Sequence, residues 1–104
     1  MVKDILLIDD ARVLPASRVA RTYEEGITQI KEKVPDLLLL DHDLGHEEPN
    51  KTGYDVVCFI EESGLKPKEI KLVTANPVGM MKIEATLESM GYRHDHLLRT
   101  WYIK

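Results

Sequence analysis

The sequence predicts an α/β domain built on a mostly parallel five-stranded sheet. Three observations carry that expectation. Residues 37–40 are four consecutive leucines, introduced by Pro35 and Asp36, and the absence of alternation asks for burial on both faces. This run stops in Asp41-His42-Asp43, and an earlier apolar run over residues 2–8, VKDILLI, stops the same way in Asp9-Asp10. Helical patterns alternate with short apolar segments along the rest of the chain, in the order β, β, α, β, α, β, α, β.

Composition sets outer bounds. Residues 1–104 read as one domain, with apolar and charged fractions of 43% and 31% that suit a globular core. A net charge of −4 with mixed signs argues against a basic nucleic-acid-binding surface, though not against a nucleotide held through a metal. Cys58 is the single cysteine, which excludes an internal disulfide and a cysteine-based zinc site. No stretch approaches membrane-spanning length and the N-terminus has no signal-peptide shape, so a cytoplasmic protein is expected.

Each element has a local reason. The first strand ends at Ile8, and residues 11–17, ARVLPAS, carry a proline and no helical period. Residues 18–21 form a short strand. Thr22 and Glu25 make a capping box for a helix over about 23–33, with Ile27, Ile30 and Val34 on one face and Pro35 beyond its end. The leucine strand follows, then a polar loop, residues 45–51. Thr52 and Asp55 open a second helix through Ser63, with Gly64 as its C-terminal cap. Residues 70–75 are the next strand. Asn76-Pro77 places an N-cap and a first-turn proline at the start of a helix that runs through Met90 and stops at Gly91. Residues 96–103 form the last strand.

The two acidic strand ends carry the chemistry. Parallel sheets bind ligands beyond the carboxyl ends of their strands, and both clusters fall there. Asp9, Asp10 and Asp41 offer the hard oxygen ligands that Mg²⁺ or a similar divalent cation takes. The helix start at Asn76-Pro77-Val78-Gly79 favours an anion, Thr74 adds a hydroxyl, and Gly79 would let a ligand approach the backbone. Metal and anion sites side by side point to a phosphate-containing ligand. His42 has the right intrinsic pKa for a general acid or base, but alternation turns it away from Asp41, toward a structural role. Both roles stay open. His94 and His96 have HxH spacing with no third ligand evident and read as a surface pair.

IDD, PDLLLLD, TGYDVVCFI and LVTAN resemble, in order and spacing, the motifs of response-regulator receiver domains over nearly the whole chain. LDHDLG, TGYDV and ANPVG are most similar to the cyclic-phosphate processing receiver domains. The resemblance implies a receiver-like, flavodoxin-like fold in which Asp9, Asp10 and Asp41 hold Mg²⁺. It also makes Asp41 the phosphoryl acceptor, the Asp43 backbone carbonyl a further metal ligand, and Thr74 a phosphoryl contact. The chain departs from ordinary receivers in lacking Lys-Pro near its last strand, in having no room for the first helix, and in lacking the last helix.

These readings converge on metal-dependent processing of a phosphoester, with Asp41 and His42 as catalytic residues and Thr74, Asn76 and Gly79 as substrate contacts. The substrate expected is a phosphate-containing small molecule or a cyclic-phosphate nucleotide or RNA end. Two alternatives remain: a signalling receiver phosphorylated on Asp41, and a non-catalytic nucleotide-binding protein. With two receiver helices missing, one sheet face needs cover, for which a homodimer using Trp101 and Tyr102 is expected.

Overall fold

The computed structural model describes residues 3–44, 51–74 and 76–103. The polar loop expected at 45–51, apart from Lys51, lies outside the described residues, as do Val2, His46 and Ala75. Nine elements follow one another: β1 (Ile5–Ile8), β2 (Arg18–Ala20), α1 (Tyr23–Glu32), β3 (Leu37–Leu40), α2 (Gly53–Ser63), β4 (Glu69–Leu72), α3 (Pro77–Ser89), β5 (Arg93–Asp95) and β6 (Thr100–Tyr102). They build one sheet of order β2-β1-β3-β4-β6-β5. The first four strands are parallel, and β6 and β5 add an antiparallel hairpin at one edge. None of the helices is long and apolar enough to cross a membrane among the described residues.

The sheet carries a sixth strand beyond the five expected, within the same α/β fold class. Residues 96–103 were expected to run straight, but Asp95 Oδ1 accepts from the Leu97 and Leu98 N–H groups at 3.0 and 3.1 Å. An Asp that bonds the backbone two and three residues on closes a turn. Arg99 completes the reversal at φ 53°, in the left-handed region. The apolar segment therefore supplies the turn and β6, and β5 forms just before it, with His94 opposite Trp101.

The short first connection runs as expected, without a helix. Ser17 is the hinge: its N–H donates to the Ile5 carbonyl at 2.8 Å, and its Oγ accepts from Ile5 N at 3.1 Å. Arg18 then locks the edge strand. Its Nη2 lies 2.6 Å from Asp4 Oδ2, while its guanidinium also donates to the Gln29 and Lys33 carbonyls, at 2.9 Å each. The Gln29 carbonyl also takes the Lys33 N–H at 3.1 Å, and the Lys33 carbonyl lies at the helix cap, so one side chain reinforces a helix end and holds a strand.

The three helices form one layer, α1 against α2 and α2 against α3. Leu6, Ile8, Leu38, Leu40 and Ile70 meet Ile27, Ile30, Val56, Ile60, Ile83 and Leu87 between helices and sheet. Leu7 and Leu39 alternate to the opposite face and are also buried, whereas Val19 at its edge is 42% exposed. Trp101 is 7% exposed and packs within the chain's own core.

Candidate functional site: carboxylates at the sheet edge

Parallel pairing of β1 with β3 sets Ile8 opposite Leu40, which puts the following residues, Asp9 and Asp41, side by side. The Asp41 N–H donates to the Ile8 carbonyl at 3.0 Å, so the ladder extends to the site itself. Carboxylate oxygens of Asp9, Asp10 and Asp41 all lie within 4.8 Å of one another. Asp9 and Asp41 are buried and Asp10 is exposed. Two buried acids at this distance repel unless a cation stands near them.

Asp9 is held by its own loop. Its Oδ1 accepts from the Ala11 and Arg12 N–H groups at 3.0 Å each, and its Oδ2 meets Arg12 Nη1 at 3.1 Å. Burial pushes this carboxyl up, but the Arg12 and Ala11 N–H bonds and the Arg12 guanidinium outweigh it, leaving Asp9 below its ordinary value. Asp41 moves the other way. Burial and the neighbouring Asp9 charge raise it, and the Thr74 hydroxyl, Arg12 and the Asp43 N–H only partly offset them. Two equivalent-looking acids are thus shifted in opposite directions by their surroundings.

Gly53 and Gly79 allow the surrounding backbone to close. A β-carbon on Gly53 would collide with the Asp41 carbonyl and come within 3.1 Å of His42 Cα, while the Gly53 N–H donates to the His42 carbonyl at 2.8 Å. The start of α2 is therefore pressed onto the end of β3. The Thr52–Asp55 pair holds that start, with Asp55 Oδ2 accepting from the Thr52 N–H at 2.8 Å.

On the other side, Asn76 Oδ1 accepts from the Gly79 N–H at 3.1 Å, and Thr74 Oγ1 accepts from the Asn76 N–H at 3.0 Å. The Gly79 N–H is thus already engaged in capping α3. The close approach expected at Gly79 is made by His42, whose imidazole occupies the space a β-carbon would need. His42 Nδ1 lies 3.1 Å from Asp43 Oδ1 and 3.5 Å from Asn76 Nδ2. Strand alternation had pointed the ring away from Asp41, and its contacts lie there, on α3 and Asp43.

The structure brings Asp9, Asp10, Asp41 and Thr74 together, with Asn76 hydrogen-bonded to Thr74. The Asp43 carboxylate is exposed, outside the trio, and directed at His42. Arg12 was missed because it lies in an aperiodic segment and its position opposite Asp41 depends on β1–β3 register. Its Nη1 is 3.7 Å from Asp41 Oδ1. His94 and His96 bring their Nδ1 atoms to 3.1 Å, and His94 packs on Trp101 with ring centres 4.9 Å apart. A cavity of about 480 Å³ opens beside them, walled by Thr74, Glu84, His94, His96, Arg99 and Trp101. Thr74 is common to this cavity and the acidic site.

Residues 5–89 match the family model described as "Cyclic-phosphate processing Receiver domain". Among solved structures, the chain is similar to one described as the yeast Spc42 trimeric coiled coil, amino acids 181–211, in fusion with another structure. That likeness has a TM-score of 0.62 at 21% identity, over 81% of this chain and 60% of the other. It shows the fold alone, and this chain spans less than two thirds of that one. A comparison with curated proteins finds no significant match.

Proposed function

The chain belongs to the cyclic-phosphate processing receiver domain family, and from that premise we propose that it processes a phosphoester with the aid of a divalent cation. The observation that carries the reading is the register that sets Asp9 beside Asp41, with Asp10 and Thr74 at the same edge. The donor set suits magnesium: hard carboxylate oxygens, gathered at a strand end, with two of them buried and in need of positive charge. Asp9, Asp10 and Asp41 would hold the ion, with the Asp43 carbonyl as a further ligand. Bound there, it would neutralise phosphate oxygens and polarise the bonds at phosphorus.

This chain's own groups would do the rest. The Thr74 hydroxyl, which faces Asp41, binds a phosphate oxygen, and the α3 start around Asn76 adds a favourable dipole. Asp41 serves as metal ligand or nucleophile. His42 keeps α3 and β3 in register through its contacts with Gly79 and Asn76, which makes it a positioning residue. The adjoining cavity has the size of a small-ligand site and could take the organic group attached to the phosphate, a nucleotide or RNA end.

The test is incubation with an oligoribonucleotide ending in a 2′,3′-cyclic phosphate, and separately with acetyl phosphate, each with Mg²⁺ or EDTA. Magnesium-dependent loss of the cyclic end, absent in Asp41→Ala, is the expected result. A stable acyl phosphate on Asp41 with the cyclic end untouched would assign a signalling receiver instead. No reaction with either would leave a binding protein.

A further inference from the structure

Arg12 stands between the two acids that the proposed function needs free. Its Nη1 is 3.1 Å from Asp9 Oδ2 and 3.7 Å from Asp41 Oδ1, and the two partner side chains are 1% and 9% exposed. We propose that Arg12 is a tethered counter-cation that holds the Asp9–Asp41 pair in the metal-free protein, gives way to the divalent ion, and then binds the substrate's phosphate. Metal and phosphate would therefore bind cooperatively. The inference rests on the reading of the acidic trio as a metal site.

The geometry gives the reason. Magnesium sits about 2.0–2.1 Å from its oxygens. An ion shared by Asp9 and Asp41 would take the space that the guanidinium nitrogen now faces, and like charges at that range repel. The Arg12 side chain can leave, being 39% exposed. Its main chain cannot. The Arg12 N–H is held by Asp9 Oδ1 at 3.0 Å and its carbonyl accepts from Arg21 Nη1 at 2.6 Å. The displaced guanidinium therefore stays at the mouth of the site, where its planar fork matches a phosphate. Without phosphate, metal binding costs Arg12 a partner. With phosphate, it exchanges one anion for another.

An ordinary ion pair with no bearing on ligands is the competing explanation, and binding measurements separate the two. Mn²⁺ affinity is read by electron paramagnetic resonance of the free ion, with and without inorganic phosphate, against protein-free controls. The native chain should bind Mn²⁺ more tightly when phosphate is present. Arg12→Gln should bind Mn²⁺ alone about tenfold more tightly than native, a change within the usual range for coupled sites, and should lose most of the phosphate enhancement. Arg12→Lys, which keeps the charge but not the fork, should fall between them and covers the case in which Arg12→Gln fails to fold without metal. Native-like Mn²⁺ affinity in Arg12→Gln, or in Arg12→Lys if that alone folds, overturns the inference while leaving the metal site standing. Absence of Mn²⁺ binding in native and variant proteins alike overturns both.

Discussion

The imidazole of His42 lies where a side chain on Gly79 would have to go: a β-carbon on that glycine would come within 2.7 Å of Nε2. The two residues come from different elements, the end of β3 and the first turn of α3, so their contact fixes how the two approach. Gly79→Ala should destabilise the fold by about 1–3 kcal/mol, the usual range for overpacking. Removing the ring in His42→Ala should recover most of that loss in the double variant. Urea denaturation of the four-member cycle measures the coupling. Additive effects would show that ring and glycine do not meet. Gly53→Ala offers a contrast, because its clash is with the Asp41 backbone and no side-chain deletion relieves it.

Metal binding is expected to stabilise the native chain by mass action. Mg²⁺ at about a hundred times its dissociation constant adds about 2.7 kcal/mol, visible as a rise in Tm. Asp10→Asn should remove most of that rise with little effect on the fold itself, since Asp10 is the exposed member of the carboxylate trio. An Asp10→Asn, Asp41→Asn double variant should show none. A magnesium response unchanged in the double variant would refute the ligand assignment.

Much of this site is legible in the sequence, and for a physical reason. Asp9 and Asp41 each end an unbroken apolar run, and parallel strands that share a core must bring their ends to one edge. What stayed hidden depended on pairing register or on a single turn. Arg12 has no periodicity to mark it, and only the Ile8–Leu40 alignment brings its guanidinium to Asp41. The C-terminal hairpin turned on Asp95, whose two backbone bonds outweigh the apolar run after it. Gly79 was recognised as a site of close approach, but a sequence does not say whether a ligand or a neighbouring ring makes that approach.

The opposite displacements of Asp9 and Asp41 predict how stability follows pH in the absence of metal. Asp41 is raised by burial and by Asp9, so its folded carboxyl holds a proton at pH values where the unfolded one has lost it. Stability from this group therefore falls as pH rises from the ordinary value of 3.8 through the raised one. Asp9 lies below its ordinary value: burial alone would raise it, but the Arg12 and Ala11 bonds prevail. Its stabilisation is present above the ordinary value and is lost as pH falls through the depressed one. Asp41→Asn removes the first effect and keeps the second. In EDTA at pH 7 the variant should melt above the native protein, and the gap should close as pH falls toward 4. With Mg²⁺ at pH 7 the order should reverse, because only the native chain gains the full ligand set. Differential scanning fluorimetry across that pH range, with and without metal, reads both effects.

Arg99 is predicted to trade stability for ligand recognition. Its φ of 53° is a conformation in which the β-carbon crowds the backbone, at about 1–2 kcal/mol for a non-glycine residue. Glycine adopts that φ freely, although it also loosens the unfolded chain. Arg99 is exposed and lines the cavity next to Thr74, and its φ is held by the turn that Asp95 closes. Backbone strain held in this way by its surroundings clusters at ligand-binding sites. Arg99→Gly should therefore leave stability unchanged or raise it, by up to about 1 kcal/mol in urea denaturation. The same variant should weaken binding of a 2′,3′-cyclic nucleotide while leaving binding of inorganic phosphate with Mg²⁺ as in the native chain. Calorimetric titration of both ligands decides the matter. Equal weakening for nucleotide and phosphate would place Arg99 at the phosphate itself, and no weakening for either would mean the hairpin turn serves the fold alone.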